Sequence, residues 1–109
     1  MQHKRIYLAC PYSHPDRVVR LARVWRANAE AANLMREGHV VMSPISHSHP
    51  IAVQCGLPLG FDFWQAQDEA FIDWCDAVYV VPADGWEESA GVQSEIALAR
   101  KLDKEDVIL

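Results

Sequence analysis

Two carboxylates lie at positions where the sequence pattern calls for apolar side chains. Glu95 falls in a segment of helical spacing, and its neighbours one turn away are all small or apolar: Gly91, Val92, Leu98 and Ala99. A glutamate on such a stripe is rarely buried without a partner, and burial raises the pKa of a carboxyl. Perturbed carboxylates in clefts are candidates for chemistry. We therefore expect Glu95 to be a site residue; the alternative is a carboxylate at the edge of the stripe that reaches solvent.

Asp68 repeats this pattern beside an aromatic stripe. Trp64 lies one turn before it and Phe71 three residues after it. No Lys or Arg occurs between Arg36 and Arg100, a stretch that carries ten carboxylates. Neither Glu95 nor Asp68 therefore has a cation close by in sequence.

Further candidates could bind a substrate beside these carboxylates. Ser89 and Gly91 open a predicted helix, where a hydroxyl and unpaired backbone N–H groups can hold an anion; a plain N-cap serine is the compatible alternative. Gly91 also removes side-chain bulk and would let a ligand approach the helix. His14, near another helix start, could contact an anion, although a surface histidine is the simpler interpretation.

Aromatic and imidazole groups complete the candidate set. Tyr12 and Trp64 could stack on a planar ligand, with core or rim packing as the default for each. His47 is predicted to hydrogen-bond a ligand or solvent. A metal site at His47 and His49 is a further interpretation, because alternate residues of a strand share a face, but no second ligand cluster of fixed spacing supports it.

The elements that must position these residues alternate between strand and helix. Apolar periodicity and capping signals predict strands at 6–9, 39–42, 77–81 and 106–109, and helices at 15–37, 61–75 and 89–102. The first helix is expected to have Ser13 or His14 as its N-cap and to carry an apolar stripe that includes Val18, Trp25 and Met35. Residues 45–60 are predicted to form a long loop.

This alternation predicts a single α/β domain over residues 1–109. Its fold would be a doubly wound, flavodoxin- or Rossmann-like parallel sheet of four to five strands with helices on both faces. Ligands of such folds bind beyond the carboxyl ends of the strands, where the strand order reverses. The segments 10–14, 43–60 and 82–89 would meet at that edge.

Composition excludes several classes of protein. The net charge is −5, and the last 59 residues are strongly acidic, which argues against binding a nucleic-acid polymer. No apolar run approaches the ~20 residues of a membrane span. The three cysteines fit neither a disulfide framework nor a zinc motif, which favours the cytosol. A domain this small buries a modest fraction of its surface, so a second subunit is plausible.

Three motifs together resemble a known family. They are the strand Ile6–Ala9 followed by Pro11-Tyr12, Asp68 eight residues before Asp76-Ala77, and the block Ser89–Ile96, which is the most specific. With them the chain resembles the nucleoside 2-deoxyribosyltransferase-like superfamily, which includes deoxynucleoside 5′-monophosphate N-glycosidases. The resemblance spans nearly the whole chain and is nearest to a branch of short proteins.

The resemblance implies a role for individual residues. Glu95 matches the nucleophile that attacks the anomeric carbon, Asp68 the acid/base residue, and Tyr7 the tyrosine that orients the nucleophile. Ser89 matches a serine that binds the 5′-phosphate in monophosphate-cleaving members. The family's chemistry needs no cofactor, and its members are dimers or higher oligomers.

We therefore expect a cytosolic enzyme that cleaves or exchanges the N-glycosidic bond of a nucleoside or nucleoside 5′-monophosphate. Such bonds break through an oxocarbenium-like transition state that a carboxylate stabilises, while an acid protonates the leaving base. A nucleotide-sensing or binding module that has lost catalysis is the alternative. A metal hydrolase that uses His47 and His49 is the third interpretation, and it would lose activity with chelators.

Overall fold

A computed structural model describes residues 3–109, so residues 1 and 2 of the predicted domain lie outside the described residues. The elements follow in the order β1 (Arg5–Ala9), α1 (Arg17–Arg36), β2 (Val40–Met42), α2 (Pro44–Cys55), α3 (Phe61–Trp74), β3 (Ala77–Val80), α4 (Ala90–Lys101) and β4 (Glu105–Ile108). Every predicted strand and helix is present, with bounds that differ by a few residues at most. The additional element is α2.

The four strands form one parallel sheet in the order β2-β1-β3-β4. The apolar runs of β1 and β3 occupy its centre, because strands buried on both faces need continuous apolar sequence. Tyr7 of β1 pairs with Met42 on one side and Val78 on the other. The order reverses between β1 and β3, which confirms the predicted doubly wound fold and fixes the position of its switch point.

Side-chain alternation along β1 divides the core between the two faces of the sheet. Ile6 and Leu8 point to one face and pack with Ala27 and Ala31 of α1. Tyr7 and Ala9 point to the other face, where they pack in one cluster with apolar residues of α3 and α4: Ile72, Val92, Ile96 and Ala99. The tyrosine hydroxyl is thereby directed toward the helices that carry Asp68 and Glu95.

The prediction of a loop over residues 45–60 was wrong, because Pro44–Cys55 form helix α2. Pro44 occupies the start of the helix, where its missing N–H has no intrahelical acceptor. Gly56 ends it in the left-handed conformation, with φ of +69°. Ala52 is buried against the rest of the protein. Pro50 inside the segment and the polar residues around it concealed this helix from periodicity alone.

Two expectations about α1 also required correction. Its N-cap is Asp16, whose Oδ1 accepts a hydrogen bond from the Val18 N–H at 2.9 Å, rather than Ser13 or His14. The buried stripe of α1 comprises Val24, Ala27, Ala31 and Leu34. Val18, Trp25 and Met35 of the predicted stripe are exposed instead, and Trp25 keeps 75% of its surface accessible. Small alanines on the buried stripe let the helix approach Ile6 and Leu8 closely.

None of the helices within residues 3–109 has both the length and the apolar character that crossing a membrane requires.

Candidate active site

A cavity of about 350 Å³ opens at the carboxyl end of β1, beside the switch point of the sheet. Its wall is formed by the β1–α1 loop, α2, α3, the segment before α4 and the first turns of α4. This volume falls in the range of small-molecule sites. The cavity therefore lies at the edge where the fold leads us to expect a ligand.

Glu95 lies at the inner end of this cavity, and Tyr7 lies behind it in the core. The Glu95 side chain comes from α4 and is buried, with 8% of the residue exposed, and Tyr7 is fully buried. The Tyr7 hydroxyl donates a hydrogen bond to Glu95 Oε2. No Lys or Arg among residues 3–109 forms an ion pair with Glu95. The predicted burial of this glutamate is confirmed, and its partner is a neutral hydroxyl from the central strand.

Asp68 reaches the same cavity from α3 and is partly buried. Burial raises the pKa of its carboxyl to about 6, while the nearby Tyr7 hydroxyl opposes this rise. Burial also raises the pKa of Glu95 to about 8; the hydrogen bond from Tyr7 opposes this shift, and the charge of Asp68 adds to it. The pKa of Tyr7 lies well above its ordinary value because of burial and the two carboxylates.

The two carboxyls can therefore hold one proton between them. Between about pH 6 and about pH 8, the pair has lost one of its two protons and keeps the other. A pair in this state supplies one carboxylate and one carboxylic acid to the same cavity. Bond cleavage by a nucleophile and a proton donor requires one group of each kind. In the ligand-free protein the higher pKa of Glu95 places the proton mainly on Glu95.

An aromatic wall leads up to Asp68 along one face of α3. Phe61, Trp64 and Asp68 follow each other at helical spacing and all line the cavity. The Trp64 Nε1–H donates to the Pro58 carbonyl at 2.8 Å, which holds the indole in place. A Cβ atom at Gly91 would meet the Phe61 ring at 3.4 Å, so this glycine lets α4 lie close to the wall.

Tyr12 and His49 form a hydrogen-bonded pair in the cavity wall. The Tyr12 hydroxyl lies 2.6 Å from His49 Nδ1, and the two rings meet edge to face. The pKa of His49 is lowered, first by burial and then by the positive charges of Arg20 and Arg17. The sequence pattern indicated His49 only as half of a metal pair with His47. Residues two apart share a face of a strand but diverge on a helix, and α2 brings His49 to the cavity without His47.

The outer part of the cavity contains the start of α4. Ser89 Oγ accepts from the Val92 N–H at 3.2 Å, so the serine is the N-cap of α4 as well as a cavity residue. Arg23 of α1 also lines the cavity, and so does Glu88. The outer part of the cavity thus contains a cation from α1 and a carboxylate, Glu88, that would repel an anion.

Gly85 makes room for Arg23 at this end. The guanidinium donates to the Ser13 and Asp84 carbonyls at 2.9 and 2.8 Å. Gly85 has a φ of +88°, and a Cβ atom there would approach Arg23 Nη2 to 2.9 Å. The turn geometry and the absence of a side chain at residue 85 therefore both support the observed position of Arg23.

His14 and His47 are not among the cavity-lining residues. The exposed His14 ring accepts from the Asp16 N–H through Nδ1 at 3.0 Å, which makes it part of the cap of α1. His47 contacts Ser48 and the Phe71 ring. Within residues 3–109, no group of three or more His, Cys, Asp or Glu side chains is arranged to hold a metal ion.

Cys10 is a potential nucleophile in the cavity wall that sequence alone left without support. Burial raises the pKa of its thiol to about 12, a rise that the nearby Arg23 and Arg26 oppose. The thiol therefore stays protonated at neutral pH and is a poor nucleophile there. Glu95 and Asp68 remain the candidate reactive groups of the site.

Fold and site together define a small parallel α/β protein with a two-carboxyl cavity at its switch point. The chain belongs to the family described as Domain of unknown function (DUF1937), whose family model matches residues 4–109. No curated protein matches the chain. The family description assigns no activity.

Proposed function

We propose that this protein cleaves or exchanges the N-glycosidic bond of a nucleoside or nucleoside 5′-monophosphate. The observation that carries the proposal is the contact of Tyr7 with Glu95, next to Asp68, at the inner end of a cavity with an aromatic wall. The motifs that resemble nucleoside 2-deoxyribosyltransferases contain these same three residues. No cofactor is needed for this chemistry.

In the first step Glu95 attacks the anomeric carbon of the sugar. A Glu95 oxygen forms a bond to this carbon, and the C–N bond breaks with its electron pair going to the base nitrogen. Asp68 gives its proton to the departing base, which leaves as a neutral molecule. The Tyr7 hydroxyl holds the Glu95 carboxylate in position. A cavity end without Lys or Arg beside Glu95 suits the positive charge that develops on the sugar.

In the second step an acceptor releases the sugar from Glu95. Water attacks the anomeric carbon, the bond to the Glu95 oxygen breaks, and Asp68 takes the proton of the water. If a second base occupies the cavity instead of water, its nitrogen forms the bond to the anomeric carbon, the bond to the Glu95 oxygen breaks, and Asp68 takes the proton from that nitrogen, so the result is exchange. Both outcomes restore the starting state of the pair, with one proton shared between two carboxyls.

The rest of the cavity suits the two ends of such a substrate. Phe61 and Trp64 offer faces on which a heteroaromatic base can stack beside its proton donor Asp68. At the outer end, Ser89, the N–H groups at the start of α4 and Arg23 can hold a 5′-phosphate. These groups, together with the resemblance of Ser89 to a phosphate-binding serine, support a 5′-phosphate on the substrate.

A binding module without catalysis is the second candidate. The observation that favours it is the pKa of Glu95: at about 8, this group is mostly protonated and uncharged at neutral pH in the ligand-free protein. A neutral carboxylic acid binds a base by hydrogen bonds but does not attack a sugar. Catalysis requires that substrate binding favour the state with the proton on Asp68.

One experiment separates the two candidates. The protein is incubated with the common nucleosides and their 5′-monophosphates, in ribose and deoxyribose forms, and free base is measured by chromatography. A thermal shift with the same compounds measures binding. The proposed enzyme releases base from at least one compound. Stabilisation by a nucleotide without base release would favour the binding module.

We also propose that the protein acts in the cytosol as a homodimer or higher oligomer. Cys10, Cys55 and Cys75 are all free, which suits a reducing compartment. Val18 and Trp25 on α1 are 71% and 75% exposed, and large exposed apolar side chains on one helix face mark interaction sites. A second copy of the chain would cover this face.

A further inference from the structure

The pair of Tyr12 and His49 is a feature of the cavity that the proposed reaction does not use. Tyr12 follows β1 and His49 lies on α2, and the hydrogen bond of 2.6 Å between hydroxyl and Nδ1 joins these two segments. The ring centroids are 5.5 Å apart at an interplanar angle of 73°. The imidazole is thus held in the wall of the same cavity that Phe61 and Trp64 line.

The groups around this pair affect whether the imidazole is neutral and which ring nitrogen carries its proton. Burial and the cations Arg20 and Arg17 on α1 lower the pKa of His49, so the ring is neutral at pH 7 and has a single N–H. Burial raises the pKa of the Tyr12 hydroxyl, a rise that Arg20 opposes, so the hydroxyl keeps its proton at neutral pH and can donate it. In the tautomer in which this hydroxyl donates to Nδ1, the ring proton of His49 resides on Nε2.

In this tautomer, Nε2–H is a hydrogen-bond donor on a residue that lines the cavity. Among residues 3–109, the hydrogen bond of the His49 ring is the one made by Nδ1. A donor that is neutral and held by a second side chain suits recognition of an uncharged polar ring. Heteroaromatic bases present acceptors of this kind, as ring nitrogens and carbonyl oxygens, along their edges.

We propose that His49 Nε2 donates a hydrogen bond to the edge of the base and so determines which base the cavity accepts. This inference rests on the proposed function, in which the base stacks against Phe61 and Trp64 and takes a proton from Asp68. Tyr12 is the positioning residue: its hydroxyl fixes the ring proton of His49 on Nε2 and prevents the ring from turning.

Binding of free bases tests this role without any turnover. Titration calorimetry with adenine, guanine, hypoxanthine, cytosine, uracil and thymine compares the wild type with His49→Ala, His49→Asn and Tyr12→Phe. Loss of a hydrogen bond that selects a ligand weakens binding of the preferred base about tenfold or more. His49→Ala should show this loss and bind the bases with nearly equal affinity, whereas His49→Asn, which keeps an N–H donor, should restore part of the preference. Tyr12→Phe should reduce the difference in affinity between the preferred base and the other bases.

The matched control is His47→Ala, which removes an imidazole two residues away that the structure places outside the cavity. This variant should bind the bases as the wild type does. An unchanged preference in folded His49→Ala would overturn the inference, and so would the absence of base binding by the wild type. Equal losses in His47→Ala and His49→Ala would also overturn it, because they would indicate a general effect on α2.

Base release by the same variants separates this inference from the proposed function. If His49→Ala still releases base with the same preference among bases as the wild type, this result contradicts the role of His49 but not the proposed function. Base binding that depends on His49, without release from any nucleoside or monophosphate by the wild type, supports the inference and contradicts the enzyme. For the preferred base, kcat/KM in His49→Ala should fall about tenfold or more.

Discussion

At the scale of single residues, unequal burial separates the pKa values of the two carboxyls of the site. Glu95 is enclosed by α4 and the sheet, whereas Asp68 on α3 is only partly buried, so burial raises the pKa of Glu95 further. Tyr7 contacts the more deeply buried carboxyl, where its O–H stabilises the charged form. The different pKa values of the two carboxyls thus follow from the positions of Glu95, Asp68 and Tyr7 on α4, α3 and β1.

This separation predicts a bell-shaped dependence of base release on pH. Below about pH 6 both carboxyls are protonated and the nucleophile is lost. Above about pH 8 both are ionised and the proton donor is lost. We expect kcat/KM to rise through about pH 6 and to fall through about pH 8. A profile that is flat from pH 5 to pH 9 would contradict the shared proton.

Glu95 also predicts how stability depends on pH. Its pKa is raised from 4.5 to about 8 on folding, so the unfolded chain loses this proton first and stability falls as pH rises between these values. Glu95→Gln cannot ionise. Between pH 5 and pH 8.5, the wild type should therefore lose roughly 4 kcal/mol more free energy of unfolding than Glu95→Gln. Urea denaturation at both pH values measures this, and equal losses in the two proteins would place Glu95 in solvent.

Sequence predicted these residues unequally. Glu95 stood out because its neighbours at helical spacing are local and apolar, and burial depends mainly on that stripe. His47 rather than His49 was predicted to contact a ligand, because identifying the imidazole that lines the cavity required knowing that residues 44–55 are helical. Arg23 could not be found either, since its approach to the cavity depends on Gly85 and Asp84, about 60 positions along the chain.

At the scale of elements, strong local signals were sufficient for the sheet and for three helices. The apolar runs of β1 and β3 and the periodicity of α1, α3 and α4 determined the parallel α/β fold. Helix α2 has start and end signals at Pro44 and Gly56, but Pro50 and its polar residues give it a weak apolar pattern. The orientation of α1 was missed because its apolar and small residues cover two adjacent stripes, of which the one with smaller side chains is buried.

The start of α4 gives a prediction that separates capping from substrate binding. Ser89→Ala removes the acceptor of the Val92 N–H and should cost ~1 kcal/mol of stability. It should also raise KM for a nucleoside 5′-monophosphate more than for the nucleoside. The matched control is Asp16→Ala, which removes the N-cap of α1 outside the cavity. It should cause a similar loss of stability, and equal effects of both variants on the two KM values would contradict a phosphate contact.

At the scale of the whole molecule, the uneven charge of the sequence produces an uneven distribution of cations around the cavity. The stretch without Lys or Arg includes α3 and most of α4, which carry Asp68 and Glu95. The basic first helix contributes Arg23 to the outer end of the same cavity. The cavity therefore has one end without cations, where we propose that the sugar binds, and one end with Arg23, where we propose that a phosphate binds, although the net charge of the chain is −5.

The exposed face of α1 predicts self-association. If a second copy covers Val18 and Trp25, then Trp25→Glu places a charge in that interface and should shift the protein toward monomer. Sedimentation velocity of both proteins at several concentrations measures the change. Lys101→Glu on the exposed surface of α4 is a control that also adds negative charge. A wild type that is monomeric at every concentration would contradict the proposed oligomer.

The most direct test of the central claim is base release by the wild type and by Glu95→Gln, measured on the same panel of nucleosides and monophosphates. The amide in this variant keeps the size of the carboxyl group and still accepts a hydrogen bond from Tyr7, but it cannot form the bond to the anomeric carbon. We predict that the wild type releases free base and that folded Glu95→Gln is slower by about 10³-fold or more. Equal rates in the two proteins, or no release by the wild type from any compound, would contradict the proposed mechanism.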